Sequence, residues 1–309
     1  MLRSTILAAA RSGRCRSLVE QLPPTRAIVD RFVAGDRLED ALAVGRDLVA
    51  SGRSLTLDHL GEDTRDAAQA AATAEAYEKL LAALRETGLA EHAEVSVKLS
   101  AVGQFLPRDG ERTALENARR ICAAAADAGT TVTLDMEDHT TTDSTLSIAR
   151  ELRADFPWVG VVLQSYLRRT EADCRDFAGP GSRVRLCKGA YQEPASVAFQ
   201  RREEVDRSYV RCLKVLMAGE GRPMVASHDP RLIAVAGQLA QWNGRSKDSF
   251  EFQMLHGIRP EEQLRLVAEG HTMRVYLPYG QEWYGYFMRR IAERPANLAF
   301  FLRALSSRN

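Results

Sequence analysis

The chain has 309 residues, 45% hydrophobic and 27% charged, so it can bury a full core as one large domain or two smaller ones. Its 42 basic and 41 acidic residues give a formal net charge of +1, which excludes the strongly basic surface of a general nucleic-acid binder. The five cysteines are scattered and never spaced as a metal knuckle, a distribution typical of a reducing compartment. No apolar run in the sequence approaches the roughly 20 residues that span a bilayer.

The N-terminal residues 1–52 are predicted to form a helical arm packed beside the main domain. Their first acidic residue is Glu20, and the apolar run at 6–10 is too short for the core of a secretory signal. The alternative is an amphipathic segment that binds a membrane surface. Deletion of residues 1–20 without a change in solubility or lipid binding would remove that alternative.

From residue 54 onward, short strand-like runs alternate with segments of helical periodicity. The predicted strands cover 54–60, 94–100, 131–137, 158–165, 183–189, 223–228, 250–255 and 273–278. Predicted helices between them include 64–87, 112–128, 197–217 and 260–269. Eight such units without a linker predict an α/β fold, a (βα)8 TIM-type barrel with some distortion, over residues 53–309. An open doubly wound sheet is the alternative, although no strand is followed by its G-x-G-x-x-G turn.

The predicted strands end in polar residues, at the face where parallel barrels carry their functional groups. In chain order these candidates are Asp58, His59, Lys98, Ser100, Asp135, Glu137, Gln164, Arg185, Lys188, Ser227, His228, Gln253, His256 and Tyr276. Polar groups that point into a barrel are costly unless paired, so a set this large favours a bound polar ligand. Because side chains alternate along a strand, Asp135, Glu137 and His139 are expected to share one face.

Each candidate also has a structural interpretation. Lys98 and Asp135 can form a buried ion pair that only joins two strands. His228 and His256 can be core histidines with satisfied hydrogen bonds. The acidic and histidine residues that follow the third strand can bind a divalent metal, although they lack the usual metal-ligand spacings.

The last strand leads into an aromatic helix with two adjacent arginines. In RVYLPYGQEWYGYFMRR (274–290), Arg289 and Arg290 follow Tyr286 by three and four positions, so the ring and both guanidinium groups can share one sector of the helix. The planar fork of arginine binds a carboxylate or phosphate through two hydrogen bonds. We interpret the pair as an anion clamp. The alternative is a solvated helix end whose basic residues complement the helix dipole.

Five motifs occur in a fixed order along the chain. They are TLDMED (133–138), RLCKGAY (185–191), ASHDP (226–230), EFQMLHG (251–257), and RVYLPYG (274–280) followed by YFMRRIAERPAN (286–297). Together they resemble the proline dehydrogenase family, the flavin-dependent barrel also found within proline utilization A. The resemblance extends from about residue 54 to the C-terminus. The single-domain length looks like the monofunctional bacterial form, and no aldehyde dehydrogenase or DNA-binding domain is expected.

The resemblance implies a role for individual residues. Arg289 and Arg290 are expected to bind the substrate carboxylate, with Lys98 and Asp135 beneath the substrate, and these four are the implied catalytic residues. The implied walls around the substrate ring are Tyr191, Leu255, Tyr276 and Tyr286. The implied FAD-binding residues are Asp135, Gln164, Arg185, Lys188, Gly189, Ala190, Ser227, His228 and Glu293. No metal is implied.

The implied activity is FAD-dependent oxidation of L-proline to Δ1-pyrroline-5-carboxylate by hydride transfer to flavin N5, the first step of proline catabolism. Electrons are expected to pass to a membrane quinone. The resemblance therefore implies a cytoplasmic protein with a peripheral contact at the inner face of the cell membrane and no nucleic-acid partner. A pyrroline-5-carboxylate dehydrogenase would act downstream. Tyr276 is expected to disfavour 4-hydroxyproline.

The chain departs from the family motifs at two places, and two other functional classes stay open. Ser227-His228-Asp229 stands where many relatives have Thr-His-Asn, and Cys187 stands where an aliphatic residue is commoner. A Schiff-base or metal-dependent barrel lyase would use Lys98 or Lys188 with Asp135 and would be colourless. A binding protein without catalysis would keep the arginine clamp but show no turnover.

Overall fold

The structure is a computed structural model that describes residues 29–293, of which 289–293 are described by their backbone alone. All eight predicted strands are present and close into one parallel barrel in sequence order. The pairing of the last strand with the first, for example Leu277 with Leu57, confirms the barrel over the open sheet. The strands are β1 (Ser54–His59), β2 (Ala93–Val97), β3 (Thr131–Leu134), β4 (Gly160–Gln164), β5 (Arg183–Cys187), β6 (Arg222–Ala226), β7 (Glu251–Leu255) and β8 (Met273–Tyr279).

The helices alternate with the strands, as the periodicity predicts. They are α1 (Leu38–Ala50), α2 (Ala67–Glu86), α3 (Gly110–Ala128), α4 (Thr142–Asp155), α5 (Thr170–Asp176), α6 (Arg202–Ala218), α7 (Pro230–Trp242), α8 (Pro260–Ala268) and α9 (Trp283–Glu293). The helix predicted from residue 197 begins at Arg202, because Ala198 forms an isolated bridge with Leu167 instead. Within residues 29–293, no helix is both long and apolar enough to cross a membrane.

Helix α2 shows how these helices start and pack. Asp66 caps it by accepting a hydrogen bond from the Gln69 N–H at 2.9 Å. Its buried face has helical spacing and consists of Ala70, Ala74, Tyr77, Leu80, Leu81 and Leu84. The Tyr77 hydroxyl donates to the Ser96 carbonyl at 2.6 Å and so joins the helix to β2.

Each barrel strand has an apolar face that packs against the helices and a polar face that points into the barrel. Successive side chains point alternately towards the helices and into the barrel. The helix-facing side chains are buried and aliphatic, among them Leu55, Leu57, Val95, Val97, Val132, Leu134, Val184, Leu186, Val275 and Leu277. Glu94 on β2 binds Arg185 on β5 at 2.7 Å, and these strands are not neighbours, so the contact crosses the interior. The interior is therefore a polar network rather than the branched aliphatic layers usual in such barrels.

The described part of the predicted arm packs on the barrel. Helix α1 lies against β1 and β8 and buries Ala41, Leu42 and Leu48. Ahead of it, the Ala34 N–H donates to the Pro278 carbonyl at 2.9 Å. Gly257, after β7, lies so close to Arg31 that an added Cβ would be 1.8 Å from the Arg31 carbonyl oxygen. The boundary at residue 52 stays a prediction, and residues 1–28 lie outside the described part.

Candidate active site

Asp135, directly after β3, is the centre of the candidate site. Its Oδ1 accepts hydrogen bonds from Arg185 Nη1 at 2.9 Å and from the Ser96 hydroxyl at 2.8 Å. Its Oδ2 accepts a hydrogen bond from the Tyr276 hydroxyl at 2.7 Å. The Arg185 guanidinium also lies over the Tyr276 ring, 5.3 Å from the ring centroid. Three predicted site residues on three different strands or strand ends therefore form one cluster.

Lys98 is bound mainly by Asp58, a strand-end candidate for which the family resemblance implied no role. Its ammonium donates to both oxygens of Asp58, at 2.8 and 2.7 Å, whereas the nearest Asp135 oxygen is 3.9 Å away. Burial disfavours the ammonium, but Asp58 and Asp135 together raise the pKa of Lys98 above its ordinary value. The expected pairing of Lys98 with Asp135 is therefore secondary. Asp58 lies on the neighbouring strand β1 and reaches the ammonium from the side.

The expected common face of Asp135, Glu137 and His139 is wrong. Strand β3 ends one residue before Asp135, so strand alternation does not extend to these residues. Glu137 turns to the loop after β2, where it accepts hydrogen bonds from the Ser100 N–H at 3.2 Å and the Ser100 hydroxyl at 2.7 Å. His139 pairs with Glu193 in the loop after β5. In the part of the chain that the structure describes, no group of three or more His, Cys, Asp and Glu residues is arranged to hold a metal ion.

Glu137 links several loops of the catalytic face. The Ser100 hydroxyl that donates to Glu137 accepts a hydrogen bond from the Asp63 N–H at 3.1 Å. The Gln164 side-chain amide donates to the main-chain carbonyl of Glu137 at 3.0 Å. Burial raises the pKa of Glu137 to about 7, although its hydrogen bonds with Ser100 act to lower it. The Glu137 carboxylate and Ser100 thereby connect the loops after β1, β2 and β3, and the Glu137 main chain adds the end of β4.

Lys188 and Ser227 belong to a charged corner after β5 and β6. Lys188 Nζ donates to Asp206 at 2.5 Å and to Asp229 at 3.3 Å. The Ser227 hydroxyl accepts a hydrogen bond from the Asp229 N–H at 3.1 Å. Asp229 also caps α7 by accepting the Arg231 N–H at 3.1 Å. The Asp in place of the commoner Asn thus provides an anion for Lys188.

The two candidate histidines, His228 and His256, follow β6 and β7. His228 Nε2 accepts a hydrogen bond from the Leu255 N–H at 3.0 Å, which brings together two predicted site residues. His228 therefore makes the kind of bond expected of a satisfied core histidine. Burial lowers the pKa of His256 to about 4, so this imidazole is neutral at neutral pH.

The loop that carries Gly189, Ala190 and Tyr191 is fixed by packing and hydrogen bonds. Gly189 has φ of +109°, and an added Cβ would be 2.3 Å from the ring of Tyr166. This contact requires glycine whether or not a cofactor is present. At the end of the loop, Glu193 accepts hydrogen bonds from the Tyr166 hydroxyl at 3.2 Å and from the main chain of the loop after β3 at 2.9 Å.

Helix α9 carries the remaining predicted residues. Tyr286 is buried together with Trp283 and Phe287. The backbone of α9 extends through Arg289, Arg290 and Glu293, but their side chains lie outside the described residues. The anion clamp therefore stays a prediction.

The sequence reasoning missed a second charged network that fills the barrel interior. Glu94 has no exposed surface, and it binds Arg185 at 2.7 Å and Arg183 at 2.6 Å. Glu251, equally buried, binds Arg274 at 2.7 Å. The available signal was the repetition of polar residues two positions apart in EVSVK (94–98), RVR (183–185), EFQ (251–253) and RVY (274–276).

Comparison with known proteins gives consistent matches along nearly the whole chain. A family profile described as "Proline dehydrogenase" matches residues 41–303. The chain is 41% identical over 309 residues to Proline dehydrogenase of Deinococcus radiodurans, covering 99% of this chain and 98% of that protein. It is also 41% identical over 281 residues to Proline dehydrogenase 1 of Bacillus subtilis, covering 91% of each.

Among solved structures, the fold matches proline utilization A from Bdellovibrio bacteriovorus, inactivated by N-propargylglycine, with a TM-score of 0.79 and 26% identity. The match covers 86% of this chain and 32% of the longer one.

Proposed function

The chain belongs to the proline dehydrogenase family, oxidoreductases that act on the CH–NH group of proline, and we propose that it oxidises L-proline to Δ1-pyrroline-5-carboxylate with FAD as the hydride acceptor. The observation that carries the proposal is the hydrogen-bonded cluster of Asp135, Arg185 and Tyr276 beside Lys98. In the reaction, L-proline loses two electrons and two protons. The hydrogen on C5 leaves as a hydride, and the ring nitrogen loses its proton.

Two predicted cofactor residues have open hydrogen-bond positions that suit a flavin ring. Nε of Arg185 is a buried donor and Oε1 of Gln164 a buried acceptor, and neither has a hydrogen-bond partner among the described residues. A flavin ring offers acceptors at its ring nitrogens and carbonyl oxygens and a donor at its imide N–H. When bound, FAD would supply at N5 the atom that accepts the hydride. The residues proposed to hold it are Asp135, Gln164, Arg185, Lys188, Gly189, Ala190, Ser227, His228 and Glu293.

We assign substrate binding to two groups of side chains. Arg289 and Arg290 would bind the carboxylate of L-proline through charge-assisted hydrogen bonds. The side chains that would pack around the pyrrolidine ring are Tyr191, Leu255, Tyr276 and Tyr286. Fixing the carboxylate and the ring together aligns C5 for transfer, so the protein contributes orientation rather than covalent chemistry.

Lys98 would act as a fixed cation next to the substrate amine. A neighbouring positive charge disfavours the ammonium form, and the amine must be neutral when the hydride leaves. The raised pKa of Lys98, which Asp58 and Asp135 maintain against burial, keeps it protonated. An amine that forms a Schiff base needs a lowered pKa, so Lys98 does not support the lyase alternative.

The electrons would pass from reduced flavin to a membrane quinone through a peripheral contact at the inner face of the cell membrane. The product would go to a pyrroline-5-carboxylate dehydrogenase. This part of the proposal rests on the family relationship alone.

The test is the visible spectrum of the purified protein before and after anaerobic addition of L-proline. We expect yellow flavin bands that bleach with L-proline and persist with L-alanine. A colourless protein that takes up no added FAD would contradict the proposal, as would flavin bands unaffected by L-proline.

A further inference from the structure

We propose that Glu94, at the centre of the barrel interior, is a positioning residue that sets the charge and orientation of Arg185 and thereby the reduction potential of the bound flavin. This inference deepens the proposed function and rests on it, because it requires FAD to bind beside Arg185. Glu94 itself would touch neither the substrate nor the cofactor.

Glu94 is a fully buried carboxylate that is hydrogen-bonded to two arginines of β5, and Nε of Arg274 on β8 lies 4.0 Å from its Oε1. Its Oε1 accepts hydrogen bonds from Arg185 Nη2 at 2.7 Å and from the Thr56 hydroxyl at 2.7 Å. Its Oε2 accepts hydrogen bonds from Arg183 Nη2 at 2.6 Å and from the Thr133 hydroxyl at 3.0 Å. Burial alone would raise the pKa of Glu94, but the surrounding arginines hold it far below its ordinary value. Glu94 is therefore an anion throughout the working pH range.

Arg185 is held at both terminal nitrogens by carboxylates on opposite sides. Nη2 donates to Glu94, and Nη1 donates to Asp135 at 2.9 Å and to the Ser96 hydroxyl at 2.9 Å. Nε remains buried without a hydrogen-bond partner among residues 29–293. Glu94 and Asp135 therefore fix the plane of the guanidinium and leave this one donor without a partner in the described structure. Asp135 lies in the candidate site itself, whereas Glu94 acts only from the interior.

The charge of Glu94 offsets part of the positive charge that Arg185 presents to the flavin. A cation near the ring stabilises the anionic reduced flavin and the anionic adduct that sulfite forms with oxidised flavin. Neutralising Glu94 leaves Arg185 compensated by Asp135 alone. The reduction potential should then rise, and sulfite should bind more tightly.

Glu251 provides a matched control within the same interior. It has no exposed surface, like Glu94, and it binds Arg274 at 2.7 Å and Arg222 at 3.3 Å. Its described hydrogen bonds include none to Arg185. Glu251 reaches Glu94 only through Arg274, whose Nε lies 4.0 Å from Glu94 Oε1. Loss of the Glu251 charge should therefore lower stability and change the flavin properties much less than loss of the Glu94 charge.

The experiment compares Glu94→Gln with Glu251→Gln in the FAD-loaded full chain. For each variant, the sulfite dissociation constant is measured from flavin absorbance and the reduction potential by titration against a reference dye. We expect Glu94→Gln to bind sulfite about tenfold more tightly, the order expected when one nearby charge is removed from a poorly screened interior. For a two-electron couple a tenfold change corresponds to about 30 mV, here in the positive direction. Glu251→Gln should stay much closer to the wild-type protein than Glu94→Gln does in both readouts.

Arg183→Met decides the question if Glu94→Gln does not fold. Without Arg183, the negative charge of Glu94 offsets more of the positive charge of Arg185, and sulfite should bind less tightly. The control is Arg222→Met, which removes an arginine that binds Glu251, and sulfite should bind about threefold more weakly to Arg183→Met than to this control. The control result is that the wild-type protein and Glu251→Gln both bleach with L-proline. If Glu94→Gln, or Arg183→Met in its place, then shows unchanged flavin properties, the role of Glu94 is overturned while the proposed function stands. A wild-type protein that binds no FAD would overturn the proposed function and this inference with it.

Discussion

The Tyr276 side chain is fixed on two sides before any substrate binds. Its hydroxyl donates to Asp135 at 2.7 Å, and the Arg185 guanidinium lies over its ring, 5.3 Å from the centroid. Burial and the nearby Asp135 raise the pKa of Tyr276 well above its ordinary value, so the hydroxyl stays a donor. A ring held in this way cannot move aside for an additional group on the substrate.

Tyr276→Ser should therefore widen the range of substrates. In the wild-type protein we expect kcat/KM to be higher for L-proline than for 4-hydroxyproline, and the variant should reduce the ratio by about tenfold, the usual effect of one small group in a pocket. Steady-state kinetics with both substrates measures the ratio. Tyr279→Phe, a change at another buried tyrosine of β8, is the control. Equal kcat/KM for both substrates in the wild-type protein would show that the ring does not select.

The arginine pair of α9 gives a second prediction for single residues. Arg289→Met and Arg290→Met should each raise the KM for L-proline by about tenfold to a hundredfold, because each removes hydrogen bonds to a charged group. The FAD content, measured from the spectrum after denaturation, should not change. Arg265→Met on the surface of α8 is the control. Wild-type oxidation rates in both α9 variants at low L-proline concentration would refute the clamp.

At the scale of the structural elements, the carboxyl group of Glu137 connects the loops after β1, β2 and β3. Its pKa is raised by burial from 4.5 to about 7, so the folded protein binds a proton more tightly there than the unfolded chain. This contribution to stability is complete below about pH 4.5 and is lost as the pH rises through 7. The lost free energy is about 3 kcal/mol, at about 1.4 kcal/mol for each pKa unit.

Glu137→Gln should remove this dependence because the amide does not titrate. The free energy of unfolding of the wild-type protein minus that of the variant should fall by about 3 kcal/mol between pH 4.5 and 7. Urea unfolding at several pH values gives both curves. The difference isolates Glu137 from histidines such as His256, whose lowered pKa makes stability rise with pH in the same window. Glu116→Gln on an exposed face of α3 corrects for the change in net charge, and parallel wild-type and Glu137→Gln curves would contradict the role of Glu137.

The elements themselves were predictable because strand and helix periods are local properties of the sequence. The period-two apolar residues in SLTL (54–57) and RVRL (183–186) located their strands, and the sequence motifs located Asp135, Arg185 and Tyr276. The partner of Lys98 was not predictable, since Asp58 and Asp135 are both within reach of it and only the barrel geometry decides between them. The turn after β3 was missed because alternation continues in the letters of LDMED after the backbone has left the sheet.

At the scale of the whole molecule, the seam where the barrel closes is covered by a helix that precedes the first strand. Helix α1 packs on β1 and β8, the two strands whose pairing closes the ring. In a regular barrel the helix after β8 would cover this seam. Because α1 covers the seam, the helix after β8, which carries the predicted clamp, is not needed for that role.

Removal of residues 1–50 should therefore open the seam, whereas removal of residues 1–20 should not. Without α1, the helix-facing residues Leu55 and Leu277 lose their cover, and the burial of Leu42 and Leu48 is lost as well. These buried side chains contribute about 1.5–3 kcal/mol each, which together is comparable with the whole stability of a typical domain. We expect the longer deletion to aggregate or unfold without cooperativity in urea.

The full-length variant Leu42→Ala/Leu48→Ala separates packing from chain length. It keeps every residue of the arm but should lose about 5 kcal/mol of unfolding free energy, because each substitution leaves a cavity at the seam. Circular dichroism in urea and size-exclusion chromatography compare the three proteins, and vesicle flotation of the 1–20 deletion tests the membrane-binding alternative for that segment. If the 1–50 deletion were as stable as the full chain, the seam would be held by strand pairing alone. The arm would then be an appendage rather than a part of the barrel.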